Sequence, residues 1–277
     1  MALKSILVAA SGGSASDGAV ESACRLAKRF AARLEGFHVK TDPAQIIMMA
    51  ADGFNMPSTG EWIDRLIADS ATLAKTTETA FAQVTGRHAL APAASWREET
   101  GYAPVLVARR ARFFDLCVLG RSDRVVERPH SDTIEETLIH SGRPVLIAPD
   151  KAPTTLGEHI VLGWNGSPEA VHALAGALPL METAKSVAVL AVGDEADDGT
   201  LPLLDYLAAH GLTATHRRIA PVKGVGPGEQ LLSEARSEGA DLLAMGGYGH
   251  RPWRELLFGG ATREVVGASL LPILIAH

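Results

Sequence analysis

The chain has 277 residues with a formal net charge of −6 at pH 7; 47% of it is hydrophobic and 21% charged. That length allows one or two domains with cores of their own, in the composition range of an ordinary globular protein. The acidic balance and the lack of any basic run exclude an electrostatic case for nucleic acid. No apolar stretch reaches the roughly 20 residues that a membrane span requires.

Met1-Ala-Leu-Lys-Ser5 leads straight into a strand pattern, without the regions of a signal peptide. Cys24 and Cys117 sit in apolar helical and strand patterns, which reads as core thiols in a reducing compartment rather than a disulfide or metal pair. The expected location is cytoplasmic.

In chain order, Ser5–Ala10 is a buried strand ending in the turn Ser11-Gly12-Gly13-Ser14. Val20, Ala23, Cys24, Ala27, Ala31 and Leu34 then recur at helical spacing, with Gly36 as the expected stop. Phe37–Val39 is a short second strand. Residues 41–60 read as a connection and Trp62–Val84 as a long helix, with Ile63, Leu66 and Ile67 among the residues on one side. Residues 88–96 give a weak third strand. Val105–Ala111 is helical, Asp115–Leu119 a strand, Asp132–His140 a helix and Pro144–Ala148 a last strand. This alternation predicts βαβ units around a parallel sheet.

The second half repeats the first. Ser5-Ile-Leu-Val answers His159-Ile-Val-Leu, Asp115-Leu-Cys-Val-Leu-Gly120 answers Asp241-Leu-Leu-Ala-Met-Gly246, and Pro144-Val-Leu-Ile-Ala148 answers Pro272-Ile-Leu-Ile-Ala276. The offset is 154 residues at the first strand (6 to 160) and 126 at the fourth (120 to 246). The first half therefore carries about 28 extra residues, most naturally within 41–90. The halves are expected as domains 1–150 and 155–277, joined by a linker at 149–155. Each half ends in an apolar β-rich strand, Val145–Ala148 and Ile273–Ala276, whose edges need pairing or cover.

The stretch with most chemical character is Gly246–Thr262, GGYGHRPWRELLFGGAT, between a strand and a helical pattern at Thr262–Ser269. Glycines let backbone N–H groups approach a phosphate, and a helix start adds free donors and a positive dipole end. The same glycines would also serve tight turns and close helix–sheet packing. The ten histidines show no metal-ligand spacing, no Walker lysine is present, and no nucleophile–base arrangement can be read from spacing.

Gly246-x2-Gly249, nine residues and then Gly259, set in a repeated five-stranded α/β unit, resembles the universal stress protein family. Its nucleotide-binding members carry G-x2-G-x9-G-(S/T) before the last helix. The Asn165-Gly166-Ser167 turn and the Gly-Ala-Asp241 entry to the fourth strand support the resemblance. The family implies an α/β fold of two tandem Rossmann-like (adenine nucleotide alpha hydrolase-like) domains. Each is a five-stranded mainly parallel sheet with helices on both faces.

The resemblance further implies ATP or AMP, with or without Mg, at the carboxyl ends of the strands. It places Gly246, Gly249, Gly259, Gly260 and Thr262 around ribose and phosphates, Met245 below them, Val192 near the base and Asn165 at the ribose. Two residues depart from the pattern. Asn165 stands where binders have Asp, and Gly260 stands where a Ser or Thr would donate to phosphate, with Thr262 as partial compensation. The resemblance also implies pairing of the two halves through their last strands, and a homodimer as a further option.

In the first half, Gly120-Arg-Ser-Asp123 replaces the glycine pattern. Asp132 and Glu135 read as a capping box, with Glu136 adding a third carboxylate at the helix start. Those acids would repel a phosphate, so the expected nucleotide site lies in the second half. Arg121, Arg124 and Arg128 either neutralise an anion or pair with neighbouring acids. The leading expectation is a nucleotide-binding stress-response regulator with at most slow hydrolysis. The alternatives are a slow ATP hydrolase or nucleotidyl transferase, and an interaction scaffold with a vestigial site.

Overall fold

The computed structural model describes residues 2–42, 44, 60–121, 128–193, 199–247 and 271–277. The first half begins with β1 (Ser5–Ala9), an almost wholly buried strand, followed by α1 (Gly13–Phe30). The helix stops at Ala31, which adopts the left-handed conformation with φ 49°. Gly36 is therefore not the helix stop that the spacing predicts. It lies inside β2 (Arg33–Lys40), where a Cβ would come within 2.7 Å of Trp96 and 2.8 Å of Phe81. The glycine is needed for close packing, and the second strand starts four residues before the predicted one.

The extra segment of the first half contains α2 (Gly60–Arg87), 28 residues long. β3 (Ala94–Thr100), α3 (Ala103–Ala111), β4 (Leu116–Gly120), α4 (Arg128–His140) and β5 (Val145–Ala148) complete this half. The second half runs β6 (His159–Gly163), α5 (Pro168–Met181), β7 (Ser186–Val192), α6 (Thr200–Ala209), β8 (Ala214–Ile219), α7 (Pro227–Ser237), β9 (Leu242–Gly246) and β10 (Ile273–Ala276). The predicted helix at Thr262–Ser269 lies outside the described residues.

All ten strands form one sheet, in the order β3-β2-β1-β4-β5-β10-β9-β6-β7-β8. Within each half the described neighbours are parallel. β5 and β10 pair antiparallel, with Ile273 opposite Ile147, Leu274 opposite Leu146 and Ile275 opposite Val145. The two apolar strands thus occupy the middle of the sheet. Strand pleating sends alternate side chains to opposite faces. Ile6, Val8, Leu146 and Leu274 join α1, α2, α5 and α6 in one apolar layer. Leu7, Val145, Ile147, Ile273 and Ile275 join α3, α4 and α7 in the other. Both layers run unbroken across the β5–β10 seam.

Two further ties reinforce the architecture. Arg25 of α1 donates to the linker carbonyls of Pro153 and Thr154, and Arg29 donates to those of Leu156 and Gly157 just after the linker and to Thr183 Oγ1. The repeated aspartate that enters the fourth strand acts as a clamp. Asp115 Oδ2 accepts from the backbone N–H groups of Lys4 and Ser5 and from Ser5 Oγ, at 2.9, 2.8 and 2.9 Å. Asp241 likewise accepts from the N–H groups of Glu158 and His159, at 3.1 and 2.9 Å. In both halves one carboxylate fastens the start of the first strand to the fourth, so this motif is structural.

Burial pushes the Asp115 carboxyl up. The donors on Lys4 and Ser5, with the charge of Arg143, outweigh that and hold it below its ordinary value. A carboxyl depressed in the folded state stabilises fully above its unfolded value of about 4, and that stabilisation is lost as pH falls through the folded value. Asp115→Ala should cost roughly 1–3 kcal/mol in chemical denaturation at neutral pH. Asp115→Asn should flatten the acid limb of the stability curve below about pH 4; an unchanged limb would contradict the clamp.

Ile273, Leu274 and Ile275 are at most 1% exposed. Burying each is worth about 1.5–3 kcal/mol, against a total stability of about 5–15 kcal/mol for a typical fold. Deleting Pro272–His277 should therefore give insoluble protein, checked by soluble fraction and unfolding cooperativity. A soluble, cooperatively folding truncation would contradict the central place of β10.

Candidate functional site

In each half the strand order reverses beside the first strand, and the carboxyl ends of the strands flanking that reversal open a crevice where ligands bind in such sheets. In the second half this point lies between β6 and β9. The chain leaves β6 through buried Trp164 and turns at exposed Asn165 and Gly166, the latter with φ 70°. It enters α5 at Ser167, whose Oγ accepts from the N–H of Ala170 at 3.2 Å. Pro168 suits the first helical position because its missing N–H would have been unpaired there.

Asn165 Oδ1 accepts from the N–H of Ser167 at 3.2 Å. That bond orients the side chain at the crevice, and an amide oxygen has a second lone pair for a hydroxyl donor.

Gly246 ends β9 against the first turn of α5. A Cβ there would lie 2.6 Å from Ala170 N and from the carbonyl carbon of Glu169. Glycine at 246 is thus required by close approach to the helix. The next residue is already engaged: Gly247 donates its N–H to Ala276 O at 3.0 Å, and its carbonyl lies 3.2 Å from His277 Nδ1. These bonds join the base of the glycine stretch to the end of β10.

Met245 is buried in the apolar layer beneath Gly246, and half-buried Val192 ends β7 opposite Ile219. The structure therefore sets Asn165, Met245 and Gly246 at the switch point, with Val192 at the end of the next strand outward. Gly249, Gly259, Gly260 and Thr262 lie outside the described residues.

In the first half the corresponding point is covered differently. Leu73 and Thr77 of α2 stand over Gly12 in the turn after β1, where a Cβ would meet Leu73 Cδ1 at 2.7 Å and Thr77 Oγ1 at 3.1 Å. Beside them is a cavity of about 370 Å³ at the ends of β1, β2 and β4. Its wall is formed partly by α2, three secondary-structure elements distant from β4 in the chain. The signal for it in the sequence was the apolar face of the long predicted helix, which includes Leu66 and Ile67.

The capping-box reading of the first half is corrected. α4 begins at Arg128, so Asp132 and Glu135 occupy interior helical positions and Asp132 cannot adopt the extended geometry of an N-cap. The carboxylates still form a like-charge group. Burial raises the Glu135 carboxyl, and Asp132 and Glu136 push it further up. Burial and the same two acids also raise Tyr102. Arg121 is buried and donates its backbone N–H to Ala148 O at 2.9 Å. Arg124 lies outside the described residues.

Among the described residues, no group of three or more His, Cys, Asp or Glu side chains is placed to hold a metal ion. No helix among them is long and apolar enough to cross a membrane. Both cysteines are fully buried free thiols. Burial, with Glu21 nearby, pushes Cys24 up to about 12, and burial alone pushes Cys117 up to about 12.

No protein-family model matches the sequence, and no curated protein matches it. Solved structures do. The chain is similar over 98% of its length to a universal stress protein from Archaeoglobus fulgidus DSM 4304, covering 95% of that chain with a TM-score of 0.76 at 15% identity. It is also similar over 99% of its length to a putative universal stress protein from Pseudomonas aeruginosa UCBPP-PA14, covering 93% of that chain with a TM-score of 0.59 at 13% identity. A functionally unknown protein from Pseudomonas aeruginosa PAO1 matches with 99% and 92% coverage, a TM-score of 0.59 and 14% identity. The chain therefore has the fold of these universal stress protein structures along nearly its whole length.

The state of the thiols gives a direct check on the core. A thiol-reactive chromophore should label neither Cys24 nor Cys117 in the native protein and both on denaturation. Rapid native labelling would mean that the cysteine-bearing layers open readily.

Proposed function

We propose that the chain is a universal stress protein-like regulator that binds an adenine nucleotide, ATP or AMP, at the β6–β9 switch point of its second half. The observation that carries this reading is the meeting of Gly246 with the first turn of α5 beside exposed Asn165. These residues stand at the carboxyl ends of β6 and β9, the place where open α/β sheets receive ligands. The G-x2-G-x9-G spacing of Gly246, Gly249 and Gly259 supplies the phosphate-binding element of the reading, with Gly260 and Thr262 following it.

Asn165 accepts a ribose hydroxyl in this scheme while its first lone pair holds the Ser167 turn. Val192 borders the base, and Met245 forms the apolar floor. Residues 1–150 and 155–277 act as two domains of one structural unit, with the nucleotide in the second. The pairing of β5 with β10 uses within one chain the strand edges that would otherwise join two copies. Binding alters a surface read by a partner protein. No phosphoryl-transfer step is assigned. A side-chain amide at position 165 carries no charge and cannot act as a general base.

Calorimetric titration with ATP and AMP, with and without Mg²⁺, tests the reading. The wild-type chain should bind one of them below millimolar concentration. Asn165→Ala should weaken that binding by about two- to twelvefold, the equivalent of one neutral hydrogen bond of roughly 0.5–1.5 kcal/mol. No binding to either nucleotide at millimolar concentration would contradict the proposal and leave the interaction-scaffold reading.

A further inference from the structure

The described lining of the first-half cavity does not have the chemistry of a phosphate site. Among the described residues its floor includes Phe37, His38 and Leu119, and its walls include Leu66, Val107 and Ile134. None of its described lining residues is a lysine or arginine, and the one carboxylate among them is Asp69. Asp132, Glu135 and Glu136 lie on the same helix as lining residues Thr133 and Ile134. An anionic ligand would enter this field unfavourably. The turn after β1, equivalent to Asn165–Gly166, is already covered by Leu73 and Thr77.

The space is large enough for an occupant. About 370 Å³ falls within the usual range of small-molecule pockets, roughly 300–1,000 Å³. Ile67 and Leu73 line it from α2 while 46% and 45% exposed, apolar surface that a ligand would cover. α2 is 28 residues long and its counterpart α6 is 10, so the wall bearing these residues belongs to the segment that distinguishes the two halves.

His38 supplies the polar feature. It is 3% exposed, and its Nδ1 lies 2.7 Å from Ala10 O. A carbonyl oxygen can only accept, so Nδ1 donates this bond, and Nε2 is the ring's remaining hydrogen-bonding nitrogen.

We infer that this cavity binds an uncharged, largely apolar small molecule that presents one hydrogen-bonding group to His38. The site is separate from the nucleotide crevice of the second half and does not depend on it. The extra segment gives the first half an apolar wall at the place where the second half has the Asn165–Gly166 turn. Its occupant would be covered on one side by α2, which gives the chain a second input of different chemistry.

The neutral fluorophore N-phenyl-1-naphthylamine tests this, since it is aromatic, carries one N–H and brightens in apolar surroundings. Titrated into the full chain, it should show saturable enhancement with one equivalent bound. Ile67→Glu places a charge in an exposed part of the wall and should weaken binding at least tenfold while thermal unfolding stays cooperative. Ser70→Phe, which fills the cavity, should do the same and carries the test if the first variant does not fold. Saturating ATP should leave the fluorescence unchanged. No saturable enhancement, full binding by a folded Ile67→Glu or Ser70→Phe variant, or stoichiometric displacement by ATP would each overturn the inference. Loss of ATP binding with the fluorophore retained would count against the nucleotide proposal alone.

Discussion

The antiparallel pairing of Val145–Ala148 with Ile273–Ala276 is the constraint on which the rest of the structure depends. Each of these strands closes a parallel five-stranded unit and leaves one row of backbone donors and acceptors to satisfy. A buried backbone group without a partner costs about as much as a lost hydrogen bond, so strands this apolar must be paired. Pairing them with each other turns two open sheets into one and lets both apolar layers continue across the join. The linker is drawn against α1 by Arg25 and Arg29, which fixes the path of the chain from one half to the other.

Because the seam lies at the sheet centre, the carboxyl ends of β1 and β6 are left free to differ. The shared framework, including the Asp115 and Asp241 clamps, is maintained in both halves. The divergence is confined to the crevices. The second half keeps a small-residue turn at Asn165–Gly166 and a glycine at the end of β9. The first half lays a long helix over the equivalent turn and surrounds the crevice with apolar side chains and acids. The two halves differ in this way without any difference in strand order.

The strongly buried strands were legible in the sequence because both of their faces are covered. β1, β4, β5 and their repeats therefore read as unbroken apolar runs, and the repeat itself followed from them. The long helix was also readable, predicted at Trp62–Val84 and found at Gly60–Arg87. β3 was harder. At the sheet edge it reads Ala-Ser-Trp-Arg-Glu-Glu-Thr, half-exposed, and gives little apolar signal beyond Trp96. Gly36 misled because one residue type serves both as a helix stop and as a point of close approach. Only the positions of Phe81 and Trp96 distinguish the two. The start of α4 was displaced because Asp132 and Glu135 have the spacing of a capping box wherever they fall in a helix. The cavity is not legible in the sequence because its walls come from residues as far apart as Ala9 and Ile134.

The account divides two chemistries between two halves of a single sheet, and nucleotide stoichiometry tests that division most directly. Native mass spectrometry of the full chain with saturating ATP should show one nucleotide bound per chain. Two bound nucleotides, or none, would contradict it.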